Sequence, residues 1–237
     1  MKKHRFLTTW LIITLLLMPE VRAQESGVYV TLGGASYRMG DMKYLQNLLL
    51  EQYPVEGRIT SSFPAYGAAS VGLVRRVLPH LTAGAGYSYT TTGGRSNYTD
   101  YSGRVTTELT LVSHSLGAWF SYGYLDPGPF EFSIYGAMQG NLSSMDLISA
   151  IYVPGYTSGV RQDFRSFSPH LSAGLEVLVR LGDISAGLHG GYLVDLTGEL
   201  KDRETGSPLE DPRERGRILT SDWTGWRAGL RLILWFP

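Results

Sequence analysis

Phe167-Ser168-Pro169-His170-Leu171-Ser172-Ala173-Gly174-Leu175-Glu176-Val177-Leu178-Val179-Arg180-Leu181 is the stretch on which the reading of the fold turns. Its odd positions (Phe167, Pro169, Leu171, Ala173, Leu175, Val177, Val179, Leu181) are all apolar, whereas the even ones include Ser168, His170, Ser172, Gly174, Glu176 and Arg180. Successive side chains of a strand point to opposite faces, so this period of two predicts a strand with one apolar face and one polar or small face.

The same pattern continues on both sides of this stretch. After Gly182-Asp183, the residues Ile184, Ala186, Leu188, Tyr192, Val194 and Leu196 oppose Asp183, Ser185, His189 and Asp195. Trp226, Ala228, Leu230, Leu232, Leu234 and Phe236 oppose Arg227 and Arg231. Upstream, Phe130, Phe132, Ile134 and Met138 alternate with Glu131, Ser133, Tyr135 and Gln139. Leu81, Ala83, Ala85, Tyr87 and Tyr89 alternate with Thr82, Gly84, Gly86 and Ser88. Val71 and Leu73 lie among Tyr66, Ala68 and Ser70, and Val28, Val30 and Leu32 flank Tyr29 and Thr31. An eighth strand runs from about Arg104 to Tyr122, where Leu109 and Leu111 share one parity and Leu116, Ala118 and Phe120 the other. That change of phase predicts a β-bulge between Val112 and Ser115 and leaves the orientation of His114 open.

The connections alternate in length. Leu78-Pro79, Asp126-Pro127-Gly128 and Gly182-Asp183 read as tight turns. Met39 to Pro64, Thr92 to Gly103, Asn141 to Arg165 and Thr197 to Ser221 read as long loops. Short links at one end and long ones at the other are the layout of transmembrane barrels, with short periplasmic turns and longer extracellular loops. The predicted fold is therefore all-β, an eight-stranded antiparallel up-and-down transmembrane β-barrel. A soluble eight-stranded barrel such as a lipocalin shares the alternation but would carry its ionic residues outside; here the apolar face is long and the strands reach the roughly 9–11 residues that cross a bilayer.

The N-terminus agrees with export. Lys2, Lys3 and Arg5 precede an apolar run from Phe6 to Met18, then Pro19 and Val21-Arg22-Ala23, the order of a secretory signal peptide. The run is about 13 residues, short of the roughly 20 needed for a spanning helix. The expected organisation is a signal peptide over 1–23 and a barrel over 24–237. Cleavage removes four basic residues and Glu20 from totals of 21 basic and 21 acidic, leaving 17 against 20 and a net charge of −3, which gives no footing for nucleic-acid binding. With no cysteine, the exported chain has neither disulfides nor thiolate metal sites, so a closed sheet or large core must hold it together.

On this pattern and loop layout the chain resembles the small outer-membrane barrels of the OmpA and OmpX kind, and the outer-membrane β-barrel family common in Bacteroidota. The ending Leu230-Arg231-Leu232-Ile233-Leu234-Trp235-Phe236 looks like the aromatic-terminated last strand that the barrel assembly machinery recognises, with Pro237 departing from the usual terminal aromatic. The resemblance implies outer-membrane lipid and lipopolysaccharide as surroundings, and a protein partner reached through the extracellular loops.

Glu131, Glu176, Arg180, Arg227 and Arg231 fall on polar strand faces. In an eight-stranded barrel they meet in a lumen that side chains fill, where charges need partners, so an internal ion-pair network plugging the barrel is expected; the alternative is a narrow charge-lined pore or a carrier of a small hydrophobic ligand. His170, His189 and Asp195 share the polar face without matched metal-ligand spacing and read as hydrogen-bonded lumen fillers rather than a metal or acid-base site. Ser113-His114-Ser115 raises the chemistry of outer-leaflet lipid A hydrolases and acyltransferases, but neighbours in a strand face opposite ways, so His114 cannot readily activate either serine.

In the first long loop, Asp41 stands where it would cap a helix on which Met42, Leu45, Leu48, Leu49 and Gln52 share one side. This apolar side either closes the barrel mouth or offers a contact surface to a partner. Ser144 before Met145–Tyr152 suggests a second, weaker helix, and the charged loop from Gly198 to Arg217 reads as solvated. The functional expectation is a non-enzymatic envelope or surface component without a cofactor.

Overall fold

The computed structural model describes residues 25–51, 58–99, 101, 103–125 and 128–236. The expected signal peptide, Gln52, the Asp126-Pro127 part of one turn and Pro237 lie outside the described residues.

Strand β1 (Ser26–Ala35) leads into helix α1 (Gly40–Glu51) and a short strand β2 (Arg58–Ser62). The chain then runs through β3 (Tyr66–Leu78), β4 (Leu81–Thr99), β5 (Arg104–Leu125), β6 (Phe130–Val153), β7 (Tyr156–Leu181) and β8 (Ile184–Asp195). After the two-residue pieces β9 (Gly198–Glu199), β10 (Lys201–Asp202) and β11 (Thr220–Ser221) it ends in β12 (Gly225–Phe236). Eight of these strands form a ring: β3 to β8 pair in sequence, β12 pairs with β8, and β1 pairs with both β12 and β3, always antiparallel. The closing seam runs unbroken from Ser26↔Phe236 to Ala35↔Arg227. Ring closure gives each strand two hydrogen-bonded neighbours and leaves no open edge along the shared height of the barrel. At the β7–β8 turn, Gly182 takes φ 65°, a left-handed conformation that costs glycine no Cβ clash.

Strand lengths correct two expectations. The segments expected as loops over 92–103 and 141–165 are mostly strand: β4 runs on to Thr99, and β6 and β7 form a continuous hairpin up to Val153↔Tyr156. The weaker helix expected at Met145–Tyr152 is part of that hairpin. These segments lie above the belt where one face meets lipid, and there the simple alternation by which strands are recognised breaks down.

The bulge expected between Val112 and Ser115 is also absent, since Thr91↔Val112, Tyr89↔His114 and Ser88↔Ser115 keep one register, as do Val112↔Ser144 and Ser115↔Asn141. Odd residues of β5 face inward from Val105 to Gly123. What changes near His114 is the surroundings. Below it, Leu116 and Phe120 are exposed outside while Ser115 and Ser121 are buried inside; above it, Leu109 and Leu111 are fully buried inside while Glu108 is exposed outside. Along β5 the leucines face outward below His114 and inward above it.

Around the lower half runs a continuous apolar belt that includes Leu32, Leu73, Leu116, Phe120, Met138, Leu175, Leu188 and Leu230, all more than half exposed. Its upper border is the row Tyr89, His114, Leu142 and Phe167, four consecutive cross-strand partners on the outer face. The Tyr87 hydroxyl lies 2.6 Å from His114 Nδ1, and Tyr192 and Trp226 meet edge to face at 5.1 Å. An apolar band edged by aromatics is the outer surface of a lipid-facing barrel.

Candidate functional site

The lumen holds the polar chemistry of the chain in three layers. In the lowest, Arg180 makes a two-pronged contact with Glu25 (2.9 and 2.6 Å), and Arg76 bridges Glu25 at 3.5 Å and Glu131 at 3.4 Å. The guanidinium groups of Arg76 and Arg180 lie over the Trp235 ring, at 5.3 and 5.9 Å, and the indole N–H donates to Ser185. The Arg180 hydrogen bonds hold the Glu25 carboxyl below its ordinary value.

In the next layer Arg231 is hydrogen-bonded to Glu176, both almost fully buried, and donates from Nε to Thr31 at 3.2 Å. Its guanidinium lies over Trp119 at 4.7 Å and Tyr29 at 5.3 Å. A charge removed from water is tolerated here because a carboxylate, a hydroxyl and two ring faces replace its hydration. Glycines on β4 and β8 make room for the tyrosines: a Cβ at Gly86 would sit 2.2 Å from the Tyr29 hydroxyl, and one at Gly191 2.3 Å from the Tyr135 hydroxyl. Above this layer is a cavity of about 90 Å³ lined by Arg227, Arg231, His189, Gln139, Tyr135 and Ser88 among others.

The upper closure is apolar. Tyr37, Met39, Met42, Leu45, Phe63, Leu109, Leu111, Met145, Leu147, Phe164, Leu200, Leu219 and Trp223 form one buried cluster. Trp223 is fully buried, donates from its indole N–H to Ser143 at 2.8 Å and stacks edge to face on Tyr37. Its backbone N–H donates to Asp195, whose other carboxylate oxygen lies 3.4 Å from His170 Nε2. Met39 and Phe63 take φ 46°, a left-handed conformation costing on the order of 1–3 kcal/mol, where the first loop turns inward into this cluster.

Three outer-membrane proteins of known structure share the general architecture. They are the attachment invasion locus protein Ail of Yersinia pestis (9% identity, 90% of this chain and 99% of that chain, TM-score 0.39), a major outer membrane protein of Thermus thermophilus (14%, 89% and 99%, 0.46) and OprG of Pseudomonas aeruginosa (9%, 90% and 96%, 0.41). No protein-family model matches the sequence, and no curated protein matches it significantly. The likenesses are too distant to carry a function.

The five charges expected to form one network are divided among separate places. Glu131 and Arg180 sit together at the lower mouth, joined there by Glu25 and Arg76, residues the expectation omitted. Glu176 and Arg231 pair one layer up, and Arg227 has no carboxylate partner among the described residues. Arg76 was within reach of the same parity argument: with Val71 and Leu73 outside, it must point inward. His170 meets Asp195, but His189 lines the cavity below.

Ser113 and Ser115 point inward and donate to Asn141 at 2.5 and 3.1 Å, whereas His114 points outward to Tyr87, so the three form no catalytic unit. Helix α1 lies across the barrel mouth with Met42, Leu45 and Leu48 buried and Leu49 half-buried, so their apolar side is occupied within the chain rather than presented to a partner. Asp41 caps differently from expectation: its carboxylate accepts from Thr220 N–H at 3.0 Å, the Thr220 hydroxyl at 2.9 Å and Arg217 at 2.9 Å, tying the fourth loop to the start of the helix. The stretch expected as solvated sends Leu200 into the upper cluster, and Leu219 just after it joins the same cluster.

Proposed function

We propose that the chain is an integral outer-membrane barrel serving as a non-enzymatic envelope or surface component, with a lumen closed to permeation. The observation that supports this reading is the gathering of side chains at both ends of the lumen, the Glu25–Arg180–Arg76–Glu131 cluster below and the Trp223 cluster above. An eight-stranded barrel is just wide enough for side chains to fill, and two filled layers leave no continuous water path. The apolar belt supplies the membrane contact, with outer-membrane lipid below the aromatic border and lipopolysaccharide at it. Signal-dependent export and insertion by the barrel assembly machinery deliver the chain there. Recognition of a protein partner belongs to the β6–β7 hairpin, where Tyr152, Tyr156 and Val160 are exposed above the belt.

Planar-bilayer recording of the refolded mature chain tests closure: a silent bilayer is expected, and steady single-channel steps would refute it. Incubation with labelled lipid A tests the absence of catalysis, with no acyl release expected; release that persists in purified, homogeneous protein would overturn it.

A further inference from the structure

We infer that the mid-lumen cavity is a binding site for one small monovalent inorganic anion of the chloride class, held by Arg227 and His189. The inference requires the barrel but not the proposed surface role.

The register builds the site. Arg227 and Arg231 face inward on β12, and the residue between them on that face, Gly229, is the cross-strand partner of His189 on β8. His189 thus sits diagonally between two guanidinium groups, within reach of both for long side chains. On its other side His189 is paired with Glu176. Glu176 is committed to Arg231, and Asp195, the inward carboxylate farther up β8, is committed to Trp223 N–H and His170. Arg227 is the inward guanidinium of β12 that makes no ion pair among the described residues. Its Nε is shielded from solvent and has no hydrogen-bond partner among the described residues, and the same holds for His189 Nδ1.

A guanidinium nitrogen sealed from water without an acceptor is costly, and every guanidinium nitrogen is a donor, so the group that satisfies it is an acceptor, and an anion answers the charge as well. A singly charged anion matches the one guanidinium that makes no ion pair, whereas a divalent anion would add surplus negative charge beside Glu176 and Asp195. Size follows from the cavity: about 90 Å³ admits a halide with one or two waters but no sugar or lipid headgroup. Ser88, Ser172 and Thr31 add hydroxyl donors to the lining, while Trp119 and Tyr135 close it with ring surface.

Bromide is the probe, because it replaces chloride and scatters anomalously. Crystals of the refolded mature barrel grown in sodium bromide should show one anomalous peak in the lumen beside Arg227 Nε, and the unfolding midpoint in detergent should rise saturably with bromide but not with gluconate at equal ionic strength. Arg227→Gln should lose both the peak and the bromide-specific rise. A wild-type lumen without a peak and without a bromide-specific rise overturns the inference. So does a peak or rise that survives in Arg227→Gln. If that variant does not fold, the two wild-type measurements decide alone.

Discussion

The two halves of β5 are one strand in one register, yet they obey opposite rules. In the lower half Leu116 and Phe120 face out and Ser115 and Ser121 face in; in the upper half Leu109 and Leu111 face in and Glu108 faces out. The geometry is the same in both, so the difference comes from the solvent on the outer side. Where that solvent is hydrocarbon, apolar side chains lose nothing by facing out and the polar ones gather in the lumen. Where it is water, burial of apolar surface drives Leu109 and Leu111 inward, as in a soluble protein. The row containing Tyr89 and His114 is the boundary between the two regimes.

Arginine substitutions at three nearby positions sharpen this comparison. Leu111→Arg puts an unpaired charge into the apolar closure and should cost about 3–5 kcal/mol. Leu116→Arg, on the opposite face in the lower half, should cost about 2–4 kcal/mol because the charge faces lipid. Thr110→Arg, outward in the upper half, should stay within about 0.5 kcal/mol of wild type. Reversible urea unfolding in lipid vesicles reads all three. If Thr110→Arg proved as costly as Leu116→Arg, the border would have to move up the strand.

The smallest effect concerns the lower closure. Arg180 holds the Glu25 carboxyl below its ordinary value of 4.5, so the stabilisation is present above that pH and is lost as the pH falls through the lowered folded-state value. The wild type should therefore lose stability on acidification below about pH 4.5, and Glu25→Gln should show a shallower loss, the difference staying under about 1 kcal/mol for a partly exposed pair. Unfolding curves over the acid range up to neutrality check this, and identical slopes would remove Glu25 from the closure.

The same comparison explains what could be read from the sequence. Phe167–Leu181 and its companions were legible because one face met lipid and the other a polar lumen, which writes strict alternation into the residues. The change of parity after Leu111 looked like a bulge because residue order records which face is apolar but not where the membrane ends. The upper parts of β4, β6 and β7 looked like loops for that reason. In the lumen, Glu131, Glu176, Arg180, Arg227 and Arg231 are found by parity, but which charge pairs with which is not, since pairing depends on neighbours around the ring. Trp223 left no periodic signal at all: it stands alone between Asp222 and Thr224 and acquires its role from Tyr37, Ser143 and Asp195, distant in sequence.

The most direct test of the two-regime account uses the absence of cysteine from the chain. Single cysteines at Thr110 and Leu116, spin-labelled in the vesicle-reconstituted barrel, can be compared for accessibility to oxygen and to a water-soluble nickel complex. The label replacing Leu116 should be reached by oxygen and shielded from nickel, and the label replacing Thr110 should show the reverse. Equal nickel accessibility at both positions would contradict the account.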